Sequence, residues 1–268
     1  MLEMQWIANY LMLGLFVGYL SGLLGVGGGL VMVPVLTFMF ETQHFPPNTI
    51  LHMALGTSMA AIFFTTIFTT YQHHKHQAVN WKVVRYMTPG VLLGTAVGGL
   101  LVGFVATRYL TFFFVFFVYA AGIQILVGFK PEATRELPSH KGLTFSGMVI
   151  GCISGIVSIG GGVLSVPYLL WHKEPLRNAI ATASALGFFI SCGGTIGYVL
   201  TGHYKGVDLP PFSMGYVYLP VLIWLIVGSL ITAPIGAKGT HNMPVGKLKR
   251  FSGLLLCVLA TKMLFKLF

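Results

Sequence analysis

Hydrophobic residues along the chain form long runs separated by short polar segments. Six runs are long enough to cross a bilayer as single helices, at residues 53–70, 83–105, 110–128, 180–200, 216–236 and 251–268. Two longer apolar stretches, 6–40 and 143–171, each contain three consecutive glycines. The pattern predicts an all-α polytopic membrane protein in which these two stretches are broken helices.

The two glycine-containing stretches resemble each other, because GVGGGLVMVP recurs as SIGGGVLSVP. Residues 18–34 align with residues 151–167 and match at Gly18/Gly151, Ser21/Ser154, Gly22/Gly155, Gly27/Gly160, Gly28/Gly161, Gly29/Gly162, Val33/Val166 and Pro34/Pro167. A polar segment with two prolines, KPEATRELPSHK, separates the two copies. We therefore predict a first transmembrane repeat at 1–129, a cytoplasmic linker at 130–141 and a second transmembrane repeat at 142–268.

The distribution of lysine and arginine distinguishes two topologies. If each glycine stretch crosses the membrane once, the 16 basic residues divide nine to seven between the two sides. If each stretch enters and returns as a hairpin of two short helices, they divide twelve to four, with only Arg108, Lys205, Lys262 and Lys266 outside. Cytoplasmic loops of inner-membrane proteins are enriched in basic residues, which favours the hairpin. Each repeat is then a glycine-broken helical hairpin plus three transmembrane helices, and the two repeats are inverted.

The glycine triplets call for a functional explanation, because each glycine costs a helix about 1 kcal/mol relative to alanine. A broken helix exposes backbone N–H groups at the start of its second half, where the helix dipole also favours negative charge. Inverted repeats would bring two such helix starts together near the membrane midplane. We predict an anion-binding site at these glycines, which are Gly27, Gly28, Gly29, Gly160, Gly161 and Gly162.

Small hydroxyl side chains follow each glycine motif and are candidates for the same site. They are Thr57 and Ser58 in the first repeat and Thr182 and Ser184 in the second. A hydroxyl donates a hydrogen bond to an oxyanion without carrying a charge of its own. The alternative for each of them is a hydrogen bond to the backbone or to a neighbouring helix.

A structural role is the main alternative for the glycine motifs as well. Small residues allow membrane helices to pack closely, and we predict this role for Gly90, Gly94 and Gly98 at their four-residue spacing. The motifs do not indicate a nucleotide-binding loop, because the strand–turn–helix context and the later acidic residue are missing.

The composition supports a membrane protein and limits its partners. Hydrophobic residues make up 55% of the chain and charged residues 8%, against about 25% charged in soluble domains, and the mean hydropathy is +0.82. The net charge of +10 does not indicate nucleic-acid binding, because the chain has no soluble domain to present a basic patch. We expect a small anionic substrate and the lipid bilayer as partners and no nucleic acid. The sequence leaves the oligomeric state open.

The remaining polar residues argue against metal, cofactor and enzyme functions. All six acids are predicted in loops or at segment ends, whereas cation transporters need oxygen ligands inside the membrane. His52 is predicted at the mouth of its helix, and His73, His74 and His76 in a solvated basic loop. The three cysteines lack metal-ligand spacing and are interpreted as small buried hydrophobic residues. We predict no metal, no cofactor and no catalytic residues.

The paired G-x-G-G-G…P motif at 25–34 and 158–167, with Ser158 in place of the first glycine of the second copy, resembles the sulfite exporter TauE/SafE family. The LGTSM helix and the basic loop ending in V-N-W or V-D-L are similar to that family too, and the likeness covers essentially the whole chain. Members are also called toluene sulfonate uptake permeases. The resemblance implies secondary transport of sulfite, sulfoacetate or other sulfonates across the bacterial inner membrane.

The resulting hypothesis is a multi-pass secondary transporter of the bacterial inner membrane that exports sulfite or an organosulfonate-type anion by alternating access. One alternative is transport of another small solute, such as a carboxylate or a metal ion. A second alternative is a membrane partner protein that transports nothing. The sequence leaves the coupling ion and the direction of net transport open.

Overall fold

The structure is a computed structural model that describes residues 4–24, 28–128, 133–206, 208–242 and 246–265. Within those ranges, the first half of the chain forms α1 (Met4–Leu24), α2 (Gly29–Thr42), α3 (Pro47–Lys75), α4 (Trp81–Val102) and α5 (Thr107–Val127). The second half forms α6 (His140–Val157), α7 (Gly162–Trp171), α8 (Leu176–Tyr204), α9 (Leu219–Asn242) and α10 (Gly246–Phe265). Two short strands, β1 (Ser213–Met214) and β2 (Val217–Tyr218), pair antiparallel before α9.

The helices have the lengths and composition of an all-α membrane protein. Among the described residues, α3, α5, α6, α8 and the segment Leu219–Gly236 of α9 are long and apolar enough to cross a membrane. The helices α2 and α7 are also apolar, but with 14 and 10 residues they are too short to span a bilayer. The predicted fold class, an all-α multi-pass membrane protein, is therefore confirmed.

Each glycine break reverses the direction of the chain. In the first half, the side-chain amide of Gln43, just after α2, donates to the hydroxyl of Tyr10 in the first half of α1. In the second half, the Tyr168 hydroxyl of α7 donates to Ser146 Oγ of α6 at 3.0 Å. A continuous helix would place Tyr10 and Gln43 about 50 Å apart. The pairs α1–α2 and α6–α7 are therefore helical hairpins.

Helices at corresponding positions in the two halves run antiparallel where they pack together. Met59 of α3 contacts Gly194 of α8, and Thr66, one heptad later in α3, contacts Gly187, one heptad earlier in α8. The contacts between α5 and α10 follow the same antiparallel order. We name the two ends of the molecule the Pro47 end and the Lys75 end, after the first and last residues of α3.

The two halves of the chain interlock. Helix α1 packs in parallel along α9, and α4 packs in parallel along α6 and also contacts α8. We call α1, α2, α3 and α9 the first crossed unit, and α4, α6, α7 and α8 the second crossed unit. Helices α5 and α10 pack mainly on each other. The largest contact between the two crossed units is α3 against α8.

Glycines make the contact between α4 and α6 unusually close. Gly90, Gly94 and Gly98 all face α6, and a Cβ added to Gly94 would lie 2.1 Å from the carbonyl oxygen of Met148. The helix-packing role predicted from their four-residue spacing is therefore confirmed.

We expect Gly94→Val to destabilise the protein, because the backbone of α6 occupies the space of the new side chain. Overpacking of this kind costs about 1–3 kcal/mol. Thermal unfolding of the purified protein in detergent should show a lower Tm for Gly94→Val and little change for Leu93→Val, whose side chain is exposed. Equal Tm values for Gly94→Val and the unaltered protein would contradict the close contact.

Three local expectations are corrected by the structure. His73 and His74 lie in the last turn of α3 rather than in a loop, because no glycine or proline interrupts the helix before Lys75, and His73 is buried. His52 lies inside the second turn of α3 and is buried. The three cysteines are half-buried rather than fully buried, because their helices have one side facing outward.

Candidate functional site

The residue before the second helix has the same backbone geometry at both breaks. Gly28 has φ 71° and Gly161 has φ 82°, and each is the residue before a helix, without a side-chain cap. This left-handed conformation costs other residues about 1–2 kcal/mol, so it favours glycine at both positions. Gly28 and Gly29 are buried, as are Gly160, Gly161 and Gly162. Gly27, the sixth predicted glycine, lies outside the described residues.

The starts of α2 and α7 point backbone N–H groups toward the breaks. The first backbone bonds of α2 run from Val31 and Met32 to the Gly28 carbonyl, and those of α7 run from Leu164 and Ser165 to the Gly161 carbonyl. A helix start leaves its first backbone N–H groups without an intrahelical acceptor. Here these are the N–H groups of the helical residues that precede the donors just named. Two such groups at each helix start are suited to bind an anion.

The two breaks touch each other between α3 and α8. A Cβ added to Gly29 would lie 2.1 Å from the carbonyl oxygen of Ser158, the C-terminal cap of α6. The Ser158 hydroxyl donates to the Leu55 carbonyl of α3 at 2.7 Å. The Gly160 carbonyl packs against Gly187 of α8. The structure therefore brings Gly28, Gly29 and the second glycine triplet into one cluster at the middle of α3 and α8.

Ser58 faces this cluster from α3. It follows Leu55 by three residues and precedes Ile62 by four, and these two residues contact Ser158 and Gly29 respectively. Its side chain is fully buried, and its Oγ has no hydrogen-bond partner among the described residues. A buried hydroxyl without a partner costs about 1–3 kcal/mol, which a bound oxyanion would recover.

Two further serines, which were not predicted in the site, are also buried and have hydroxyls without a hydrogen-bond partner among the described residues. Ser165 lies in the first turn of α7, and its Oγ is 3.5 Å from a Cβ added to Gly161. Ser154 lies one turn before Ser158 in α6. Both are fully buried, and neither hydroxyl has a partner among the described residues. The signal for Ser154 was its match to Ser21 in the repeat, whereas nothing in the sequence singled out Ser165.

The four predicted hydroxyls do not lie together. Ser184 is buried one turn before Gly187, on the face of α8 that meets the second break. Thr57 instead accepts a hydrogen bond from the backbone N–H of Tyr218 at 3.0 Å, and Thr182 accepts one from the backbone N–H of Asn80 at 2.9 Å. Each of these threonines thus binds the segment that precedes α9 or α4 in the other half. Substrate binding by the four residues stays a prediction.

Little space lies beside Gly28 at the first break. A void of only about 20 Å³ lies beside Gly28, lined by residues of α1, α2, α5 and α10. A larger cavity of about 700 Å³ lies at the Pro47 end, between the ends of α2, α3, α5 and α10, with Glu41 and Arg108 in its wall. The larger cavity lies away from Ser58, Ser154 and Ser165. The cavity volume and the unpartnered hydroxyls therefore indicate different sites. We place the candidate site at the breaks, because buried hydroxyls without a partner among the described residues lie there beside two helix starts.

The site contains donors but no full charges. Among the described residues, no lysine, arginine, aspartate or glutamate side chain is buried. In the same part of the chain, no group of three or more histidine, cysteine, aspartate or glutamate side chains is placed to hold a metal ion. Helix N-termini and serine hydroxyls are therefore the groups available to a ligand, and both are suited to an oxyanion.

Comparisons with known proteins find similar sequences over almost the whole chain. The family model described as "Sulfite exporter TauE/SafE" matches residues 10–263. A "Probable membrane transporter protein" of Haemophilus influenzae is 32% identical over 96% of this chain and 97% of its own length. A protein of the same description from Methanocaldococcus jannaschii is 28% identical over 85% of this chain and 84% of its own length. No solved structure is a significant match.

Proposed function

Because the chain belongs to the sulfite exporter TauE/SafE family, whose members include probable membrane transporters, we propose that it exports sulfite or an organosulfonate-type anion as a secondary transporter. The observation on which this proposal rests is the contact between the two glycine breaks beside the buried, unpartnered hydroxyls of Ser58 and Ser165. These groups supply neutral hydrogen-bond donors near the contact between the two breaks. A pyramidal or tetrahedral oxyanion matches that arrangement.

We further propose that the two halves are inverted repeats about an axis in the membrane plane. The antiparallel packing of α3 with α8 and of α5 with α10 supports this symmetry. A two-fold rotation about this axis would place the parallel pair α1–α9 on the parallel pair α6–α4. In this arrangement the starts of α2 and α7 approach the bound anion from opposite sides of the membrane.

The charges at the two ends support an orientation in the bacterial inner membrane. Three described basic residues, Arg108, Lys205 and Lys262, lie at the Pro47 end. Nine lie at the Lys75 end, namely Lys75, Lys82, Arg85, Arg135, Lys141, Lys173, Arg177, Lys238 and Arg250. Basic residues accumulate on the cytoplasmic side. We therefore propose that the Lys75 end faces the cytoplasm and the Pro47 end faces outward.

This orientation predicts that the segments before α1 and after α10 both lie outside the cytoplasm, because each glycine hairpin returns to the side it entered. Alkaline phosphatase fused at either terminus should be active, and a green fluorescent protein fused there should be dark. A reporter inserted in the loop after Lys75 should give the opposite pattern. Cytoplasmic location of both termini would contradict the proposed topology.

The proposed mechanism is alternating access through movement at the interface of α3 and α8. In the present arrangement Gly29 and Ser158 are in contact, so an anion enters only when the two breaks separate. The two crossed units each contain one complete break, and we propose that they are the bodies that move. The anion then contacts one side at a time.

The absence of a buried cation among the described residues predicts weak binding, since only dipoles and hydroxyls balance the anion. Weak binding favours release. The membrane potential, negative inside, adds about 2.3 kcal/mol per charge at 100 mV in the direction of export.

Counterflow in proteoliposomes tests the proposed function. Purified protein is reconstituted with unlabelled sulfite inside, labelled sulfite is added outside, and a panel of sulfonates, carboxylates and sulfate competes. We expect accumulation of label that sulfur oxyanions inhibit. Competition by carboxylates alone would assign another solute, and no exchange with any anion by folded protein would favour a partner role.

A further inference from the structure

A β-hairpin distinguishes the second half of the molecule from the first. Residues 213–218 form this hairpin between α8 and α9. The corresponding connection between α3 and α4 is the short loop 76–80, without strands. The hairpin lies at the Pro47 end, which is the proposed outer side. Its contacts with α3 and α8 differ in kind.

The hairpin is bound to α3 by a polar contact. The backbone N–H of Tyr218 donates to Oγ1 of Thr57, which is fully buried. The Tyr216 backbone packs on Gly56, where an added Cβ would lie 2.6 Å from the Tyr216 carbonyl oxygen. The Tyr216 ring also lies against the ring of His52, with centroids 5.1 Å apart. These contacts attach the hairpin to the first crossed unit, of which α9 is also a part.

The hairpin closes on α8 through backbone contacts. The N–H of Tyr216 donates to the Tyr198 carbonyl at 3.3 Å. Gly215, with φ 56°, lies against the Val199 backbone, and a Cβ added to Gly202 would lie 2.4 Å from the Tyr216 nitrogen. Gly202 has no side chain, so at this point the hairpin packs directly on the backbone of α8.

Along α8, the hairpin lies between the glycine breaks and the outer side. The breaks contact α3 at Leu55 and Ile62 and α8 at Gly187. The hairpin contacts α3 at Thr57 and toward the Pro47 end from it, and α8 three to four turns closer to that end than Gly187. It therefore bridges α3 and α8 on the outer side of the contact between Gly160 and Gly187, and at the level of Leu55 on α3.

We propose that the hairpin 213–218 is the outer gate of the transporter, fixed to α3 by Thr57 and separating from α8 when the site opens outward. The proposal rests on the proposed function, because a gate presupposes passage to two sides. It assigns Thr57 a role in holding the gate rather than in binding the anion. The present structure has this gate closed.

Cysteine labelling tests the gate without requiring transport. Cys152, Cys192 and Cys257 are replaced by serine, and Ser165→Cys is introduced as a reporter beside the breaks. Its rate of reaction with a membrane-impermeant maleimide is measured in right-side-out and in inside-out membrane vesicles. Gly202→Ala places a methyl group against the hairpin. Gly206→Ala is the matched control, because nothing lies within 4 Å of an added Cβ there.

We expect Gly202→Ala to accelerate labelling from the outer side at least tenfold, with no change from the inner side and no effect of Gly206→Ala. Thr57→Val keeps the shape of the side chain but removes the hydrogen-bond acceptor, so it should also accelerate labelling from the outer side. This variant tests the proposal if Gly202→Ala does not fold. Unchanged outer labelling in a folded variant, or equal acceleration from both sides, would overturn the gate. If no anion counterflow is found, the proposed substrate is wrong, but the labelling rates still test the gate because they do not depend on transport.

Discussion

Gly161→Leu is expected to reduce anion counterflow at least tenfold while the protein remains folded. Gly161 has φ 82°, and its added Cβ would lie 2.4 Å from Cδ1 of Ile190, so leucine displaces the start of α7 from the second break. Gly28→Leu should have the same effect at the first break, where the nearest atom is Cγ1 of Val17 at 2.2 Å. In both variants the backbone N–H groups move away from the anion.

A control variant at a third glycine distinguishes the effect on the site from the effect of backbone strain. Gly128 has φ 65° at the end of α5, and nothing lies within 4 Å of its added Cβ. Gly128→Leu therefore has similar backbone strain without touching either break, and its counterflow should stay close to that of the unaltered protein. Size-exclusion chromatography identifies the folded fraction for each variant. If Gly28→Leu and Gly161→Leu both transport normally, the glycines are packing elements and the site lies elsewhere.

Ser58→Ala and Ser165→Ala form the second large predicted effect. A hydrogen bond to a charged ligand contributes about 1.5–3 kcal/mol, so loss of either hydroxyl should raise the KM for sulfite about 10–100-fold. The double variant should transport more weakly than either single variant. Counterflow rates at several sulfite concentrations measure the change in KM.

The same variants should lose transport affinity without losing stability. Because the two hydroxyls are buried without a partner among the described residues, alanine removes an unpaired polar group, so the Tm should stay equal or rise. Ser191→Ala is the matched control, because the fully buried Ser191 hydroxyl donates to the Gly187 carbonyl of its own helix. Its KM should not change. A KM for Ser58→Ala and Ser165→Ala equal to that of the unaltered protein would show that neither hydroxyl contacts the anion.

The sequence predicted the features that depend on local composition. Apolar runs indicated the helices, and the recurring glycine motif indicated the two breaks, because three consecutive glycines disfavour a helix. The charge distribution favoured the hairpins, and the Tyr10–Gln43 contact agrees with them. Helix ends were less certain, because the polar residues at the end of α3 form helix as readily as loop.

The features that depend on distant contacts could not be read from the sequence. The glycine spacing of α4 showed that it packs closely on another helix, but not that its partner is α6 of the other half. Thr57 and Ser58 are neighbours, yet one binds the segment before α9 and the other faces the breaks, because adjacent helical positions point about 100° apart. Ser165 became a candidate only through its burial and missing partner.

The most direct test is to locate a bound oxyanion in the protein by crystallography with anomalous scattering. Selenite, a pyramidal oxyanion like sulfite, provides a selenium signal that marks its position. The account predicts a selenium peak between the starts of α2 and α7, within hydrogen-bond distance of Ser58 or Ser165. A peak in the cavity beside Arg108 instead, or no peak in a protein whose sulfite counterflow selenite inhibits, would contradict the site at the glycine breaks.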